Sequence, residues 1–138
     1  LTVGAGTFQP VKAENIVDHK IHSEYISVSK ELVTEIINTK KMGGDVIAVG
    51  TTSLRAVETV FSKKLDQFDG LTDIFIYPGY EFKAVDKLIT NFHLPKSTLL
   101  MLVAAFIGFD RMKYLYEIAI KERYRFLSYG DAMFLTRK

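Results

Sequence analysis

Apolar residues recur along this chain with two different periods, and glycine or proline separates one stretch from the next. Leu32, Val33, Ile36 and Ile37 fall at helical spacing behind Ser29, a capping residue, with Glu31 in the first turn, where negative charge suits the helix dipole. Gly43-Gly44 ends that helix, because glycine takes the left-handed conformation at little cost. Before it, Glu24 to Val28 alternates as a strand does. After it, Asp45 to Val49 is a short apolar strand bounded by Gly50, of the kind buried on both faces in parallel sheets. Thr51, Thr52 or Ser53 caps the next helix, whose stripe is Leu54, Val57 and Phe61. A strand is expected over Asp73 to Tyr77, stopped by Pro78-Gly79, while Lys83 to His93 fits strand and helix equally. Ser97 or Thr98 then caps an almost wholly apolar helix to Ile107, which should be buried all round. An amphipathic helix from about Asp110 to Tyr124 turns Met112, Leu115, Ile118 and Ala119 inward. Phe126 to Leu135 closes the chain with a turn at Tyr129-Gly130-Asp131 and a last strand.

Alternation of strands and helices in this order predicts an α/β fold with a largely parallel sheet, either a partly parallel sheet or a partial α/β barrel, flanked by helices. Functional groups in such sheets collect on loops past the carboxyl ends of the strands. Three polar loops fall there: Gly4 to Pro10, Gly50 to Arg55 and Thr90 to Thr98.

Composition narrows the class. The 138 residues suit one ordinary domain, and 48% hydrophobic with 25% charged residues excludes a disordered chain. The absence of cysteine excludes disulfides and Cys-based zinc sites. Leu99 to Ile107, the longest apolar run, is far shorter than the roughly 20 residues a membrane helix needs. With no signal-peptide pattern, the cytoplasm is the compartment expected, with no membrane partner. A net charge of +2 permits an RNA partner without arguing for one. The chain opens on Leu1-Thr2-Val3-Gly4, without methionine and inside what reads as a strand, which suggests a piece of a longer protein.

Four segments carry candidate chemistry. Gly50-Thr51-Thr52-Ser53-Leu54-Arg55 aims free backbone N–H groups, hydroxyls and a guanidinium at one point, an arrangement suited to an anion. The alternative is a well-capped helix with a surface arginine. His19-Lys20-Ile21-His22-Ser23-Glu24 places His22 and Glu24 on one face of an extended segment, where they can share a proton near neutral pH. Thr90 to Thr98 combines Asn91, His93, Lys96 and hydroxyls in a loop stiffened by Pro95. There Asn91 and His93 alternate with Phe92 and Leu94, so the polar pair should face a cleft while the apolar pair anchors in the core. Lys96, in the first turn of the following helix, would be unfavourable to the dipole unless an anion lay beside it. Arg123-Tyr124-Arg125-Phe126 has the interleaving that stacks on bases and grips phosphates, and equally the make-up of a helix end over a core.

The segments VGAGTFQPV (3–11), HKIHSE (19–24), GTTSLR (50–55), DIFIYPGYEF (73–82), VDKLITNFHLPKSTLLMLVAAF (85–106) and YRFLSYGDAMFL (124–135) occur in that order. Together they resemble the C-terminal portion of the S-adenosylmethionine:tRNA ribosyltransferase-isomerases of queuosine biosynthesis. The resemblance spans nearly the whole chain; Ile21 stands where the family usually has methionine, and the connection from Val60 to Gly70 is short. It implies the C-terminal part (1–138) of a catalytic α/β domain in a larger two-domain enzyme, with the N-terminal half and an inserted β-barrel domain missing. It also implies that the ribosyl part of S-adenosylmethionine, consumed as a substrate and not held as a cofactor, is transferred and isomerised onto 7-aminomethyl-7-deazaguanine in the anticodon of tRNA. The product would be epoxyqueuosine, with adenine and methionine released, no metal required and a monomer as the expected state.

Within that reaction the residue types suggest His22, Glu24 and His93 for proton transfer. Thr7, Thr51, Ser53, Arg55, Asn91, Lys96, Tyr129 and Asp131 would bind substrate. The alternative reading is a non-catalytic α/β module holding a nucleotide or anion at Gly50 to Arg55. On the first reading the 138 residues alone should be inactive. Incubated with substrate tRNA and labelled S-adenosylmethionine, they should release no adenine above background, and clear turnover would refute this.

Overall fold

The computed structural model of the chain describes residues 1–3 and 23–137. The glycine loop Gly4 to Pro10, Thr7 within it, and His22 lie outside the described residues. The elements run β1 (Thr2–Val3), β2 (Glu24–Val28), α1 (Lys30–Lys41), β3 (Ile47–Val49), α2 (Thr51–Ser62), β4 (Phe68–Thr72), β5 (Lys87–Asn91), α3 (Thr98–Ile107), α4 (Phe109–Lys121) and β6 (Ala132–Thr136). Strands β1-β2-β4 form one sheet and β3-β5-β6 a second. The fold is α/β with a partly parallel sheet and flanking helices, and the described strands form no closed barrel.

A largely parallel sheet is not what forms. Only β3 and β5 run parallel, and β1–β2, β2–β4 and β5–β6 are antiparallel. The strand expected over Asp73 to Tyr77 falls instead at Phe68–Thr72, where Phe68 to Thr72 pair one for one with Val28 to Glu24. Ile76 is buried although its segment is irregular, so apolar character there marks a core-filling loop. Strand β3 is not buried on both faces: Ala48 points inward, while Ile47 and Val49 are exposed. Its register puts Val49 beside Ile89 and Ile89 beside Phe134, all exposed, on the sheet face away from the helices.

Most helices form where the periodicity places them. Ser29 caps α1, its hydroxyl accepting from Leu32 N–H, and Val33 and Ile36 are buried while Ile37 is exposed. Ser97 caps α3, accepting from Leu100 N–H, and six of that helix's residues are buried. Each large aliphatic side chain so buried contributes about 1.5–3 kcal/mol. In α4, Met112 and Ala119 face the core, Leu115 is partly buried and Ile118 is exposed.

Helix α2 is wedged between the sheets. Leu54 and Val57 join the large core under β3 and β5, and Ala56 and Val60 join a smaller core with Ile26, Val28 and Val33. A stripe of Leu54, Val57 and Phe61 therefore understates it, since Thr51 and every residue from Leu54 to Val60 is buried, including Arg55 and Glu58. Both charged groups meet partners, although Arg55 Nη2 is buried without a hydrogen-bond acceptor. Glu58 accepts from the backbone N–H groups of Lys83, Ala84 and Val85 and from the Tyr80 hydroxyl. Arg55 Nη1 donates to Glu24 Oε2 at 2.7 Å and its Nε to the Ile74 carbonyl at 3.3 Å. Arg55 thus grips a carboxylate, as its fork suggested, but one belonging to β2.

Removing one member of a buried pair strands the other charge in the interior, a loss of about 3–5 kcal/mol. Arg55→Ala should therefore lower the unfolding free energy of the chain by about that amount in urea titrations. A loss below about 1 kcal/mol, as for a surface pair, would contradict the buried arrangement.

Candidate functional site

A cavity of about 600 Å³ opens past the carboxyl ends of the parallel strands β3 and β5. Its wall brings together Gly50, Thr51 and Thr52 after β3, the run from Thr90 to Leu99 apart from Phe92, and Leu127 with Ser128 from the turn before β6. Its size and position suit a small-molecule ligand.

The local backbone explains why polar groups face it. Gly50, at φ +91°, is the N-cap of α2, so the predicted cap residues are displaced by one and Thr51 and Thr52 open the helix. Gly50 N–H donates to the Ile89 carbonyl at 2.8 Å, fastening this loop to β5. Strand β5 ends at Asn91, and a turn at Pro95-Lys96 leads into α3. Lys96 has φ +58° and precedes the cap Ser97, so it lies before the helix and not in its first turn.

His93 is the titratable group sunk deepest into this wall, at 9% exposure. Its Nε2 shares a hydrogen bond of 3.1 Å with the hydroxyl of Thr90, itself buried, and its backbone N–H donates to the Tyr116 hydroxyl at 2.9 Å. Burial pushes the imidazole down to about 4, so it is neutral at neutral pH. Phe92 points the other way, into an aromatic cluster with Tyr116, Tyr124 and Phe126. Leu94, expected to anchor in the core beside Phe92, is half exposed and lines the cavity.

Thr51, Asn91, His93 and Lys96 thus share one wall. The other expected residues that fall among the described ones do not join them. Glu24 and Arg55 are engaged with each other, and Ser53 is absent from the lining. Tyr129 is 99% exposed, next to Ser128 but outside the cavity. The Asp131 carboxylate accepts from Arg125 N–H at 2.7 Å and from the Arg125 guanidinium, which holds its pKa below the usual value. Its carbonyl accepts from Asn91 Nδ2 at 3.3 Å, so Asp131 shapes the turn behind the site. Gly130 is required there, since a Cβ would lie 2.3 Å from the Arg125 carbonyl oxygen. The interleaved Arg123 to Phe126 segment spends its aromatics on the core, with Tyr124 and Phe126 against Phe92.

Thr90 opens the polar run expected to line the site, three residues before His93. Leu127 and Ser128 are lining residues outside the loops expected to form the site. Leu127 and Ser128 reach the site only through tertiary structure, with Leu127 N–H donating to the Phe92 carbonyl. Among the described residues no group of three or more His, Asp or Glu side chains is placed to share a metal ion.

A polar cleft past the strand ends of a partly parallel sheet defines an α/β protein built to hold a small ligand there. The chain matches the queuosine biosynthesis protein family over residues 1–135 and belongs to that family. Among solved structures it is similar to S-adenosylmethionine tRNA ribosyltransferase from Thermotoga maritima, with 52% identity and a TM-score of 0.75. The match covers 80% of this chain and 40% of that one, so this chain spans well under two thirds of the relative's length.

The depressed pKa of His93 sets a pH dependence of stability. Above about 6.5 the imidazole is neutral both folded and unfolded, so it contributes no slope. As pH falls from about 6.5 toward 4 the unfolded chain takes up the proton first, and stability is lost by up to about 3 kcal/mol. Urea titrations over this range should show the loss in the native sequence and a shallower one in His93→Gln. Parallel curves would mean that His93 titrates normally.

Proposed function

We propose that this chain contributes to a cytoplasmic enzyme that transfers and isomerises the ribosyl part of S-adenosylmethionine onto 7-aminomethyl-7-deazaguanine in the anticodon of tRNA. Epoxyqueuosine is formed in the tRNA, and adenine and methionine leave. Membership of the family and likeness to the Thermotoga ribosyltransferase support the reaction. The observation that carries the reading to particular residues is the convergence of Thr51, Asn91, His93 and Lys96 on one cavity between β3 and β5.

In this reading the cavity receives part of S-adenosylmethionine. Thr51 and Asn91 offer hydrogen bonds and Lys96 a positive charge. The aminomethyl nitrogen attacks only as the free amine, so its ammonium form must give up a proton. His93 is held neutral and can accept one. With a pKa near 4 it is a weak base, suited to taking the proton as the nitrogen forms its new bond. Thr90 fixes the imidazole by occupying Nε2, and Tyr116 fixes the backbone beneath it. Glu24 and Arg55 act indirectly, by seating α2 and hence Thr51.

A chimera tests this, with the chain replacing the matching segment of the Thermotoga relative. Supplied with substrate tRNA and labelled S-adenosylmethionine, it should release adenine and label the tRNA. His93→Ala in the chimera should slow the reaction by ~10²–10⁴-fold with little change in melting temperature. A folded chimera without turnover would overturn the function, and an unimpaired His93→Ala variant would remove His93 from the chemistry.

A further inference from the structure

We propose that the end of the cavity between the starts of α2 and α3 is a carboxylate site that seats the carboxylate of the methionine moiety of S-adenosylmethionine. The inference rests on the reading above that the cavity receives this molecule, and it adds which end of the molecule lies where.

Two helices open onto the same cavity with their N-termini. Gly50, Thr51 and Thr52 are the cap and first residues of α2, and Ser97, Thr98 and Leu99 those of α3; all six line the wall. The first backbone N–H groups of a helix have no partner within it, and the aligned peptide dipoles add partial positive charge at that end. The Ser97 hydroxyl satisfies one such group on α3, Leu100 N–H. Gly50 has no side chain, so α2 starts with no side-chain cap at all.

A second observation points to a ligand. Thr51 is only 6% exposed, lies in the cavity wall, and its hydroxyl makes no hydrogen bond among the described residues. The hydroxyl is not sealed from water, so it opens to the cavity and is free to bond a group placed there. Charge agrees in sign. Among the described residues Lys96 is the one lysine or arginine in the lining, it forms no ion pair, and no Asp or Glu lines the cavity. Two helix starts, a free hydroxyl and an ammonium therefore face one space, with no carboxylate of the described residues beside them. A carboxylate offers two acceptor oxygens of the size and charge to meet these donors. The α-ammonium sits on the carbon that bears this carboxylate and stays beside it, whereas the sulfonium lies further along the side chain and extends toward the rest of the cavity.

The test titrates the chimera described above with S-adenosylmethionine and with its decarboxylated analogue, followed by amide NMR and calorimetry. S-adenosylmethionine should shift the amides of Thr51, Thr52, Thr98 and Leu99, and the analogue should bind ~10–100-fold more weakly and leave them unmoved. Lys96→Ala and Thr51→Val should each shrink that preference while barely affecting the analogue. If both compounds bind equally, or the preference survives in both variants, the carboxylate site is wrong although the cavity still takes S-adenosylmethionine. If neither binds, the carboxylate site and the reading it rests on fall together.

Discussion

Helix α2 carries an arginine and a glutamate into the interior, and the arrangement of both sheets depends on those two charges being answered. An ionised side chain sealed from water without a partner would cost several kcal/mol, comparable to the whole stability of a domain this size. Arg55 is met by Glu24 from β2 and by the Ile74 carbonyl, and Glu58 by three consecutive backbone N–H groups and Tyr80. The first set ties α2 to the antiparallel sheet. The second ties it to the loop that leads into β5. Because each pairing demands a defined geometry, α2 cannot slide or rotate without stranding a charge.

The cavity inherits its shape from that constraint. Its α2 side is the first turn of the wedged helix, and Gly50 is hydrogen-bonded to Ile89, so β3, α2 and β5 are fastened together at the cavity. On the other side an aromatic cluster around Phe92 sets the level of the His93 loop, with Tyr116 of α4 bonding the His93 backbone directly. His93 therefore reaches the cavity from a packed floor, and this burial is what keeps its imidazole neutral. The polar groups facing the ligand are held by elements whose own positions are overdetermined by packing, as a preorganised site requires.

The sheet of β3, β5 and β6 has one covered face and one exposed face, on which Val49, Ile89 and Phe134 stand side by side. This explains why β3 reads as a strand buried twice over. A run of three apolar residues looks the same whether both faces are covered by helices of the same chain or only one is. Here α2 packs against β3 and β5, and α3 against β6.

Local sequence determined a good deal by itself. Ser29 and Ser97 are caps because their hydroxyls reach N–H groups three residues on, and α1, α3 and α4 follow from spacing that any amphipathic or apolar helix must show. The polar run from Thr90 to Thr98 and the Gly50 turn were legible as candidate walls of one site, because both follow strands at their carboxyl ends. Other features needed tertiary structure. Phe68–Thr72 became a strand, and Asp73 to Tyr77 did not, because pairing with β2 supplied the backbone partners that alternation cannot assign. Arg55 reads as an anion-gripping residue because its fork has the same sequence signature whether the anion is a ligand or a glutamate of the same chain. Only the packing of α2 against β2 brings it to Glu24, since the two residues lie 31 positions apart and meet only when the sheet forms.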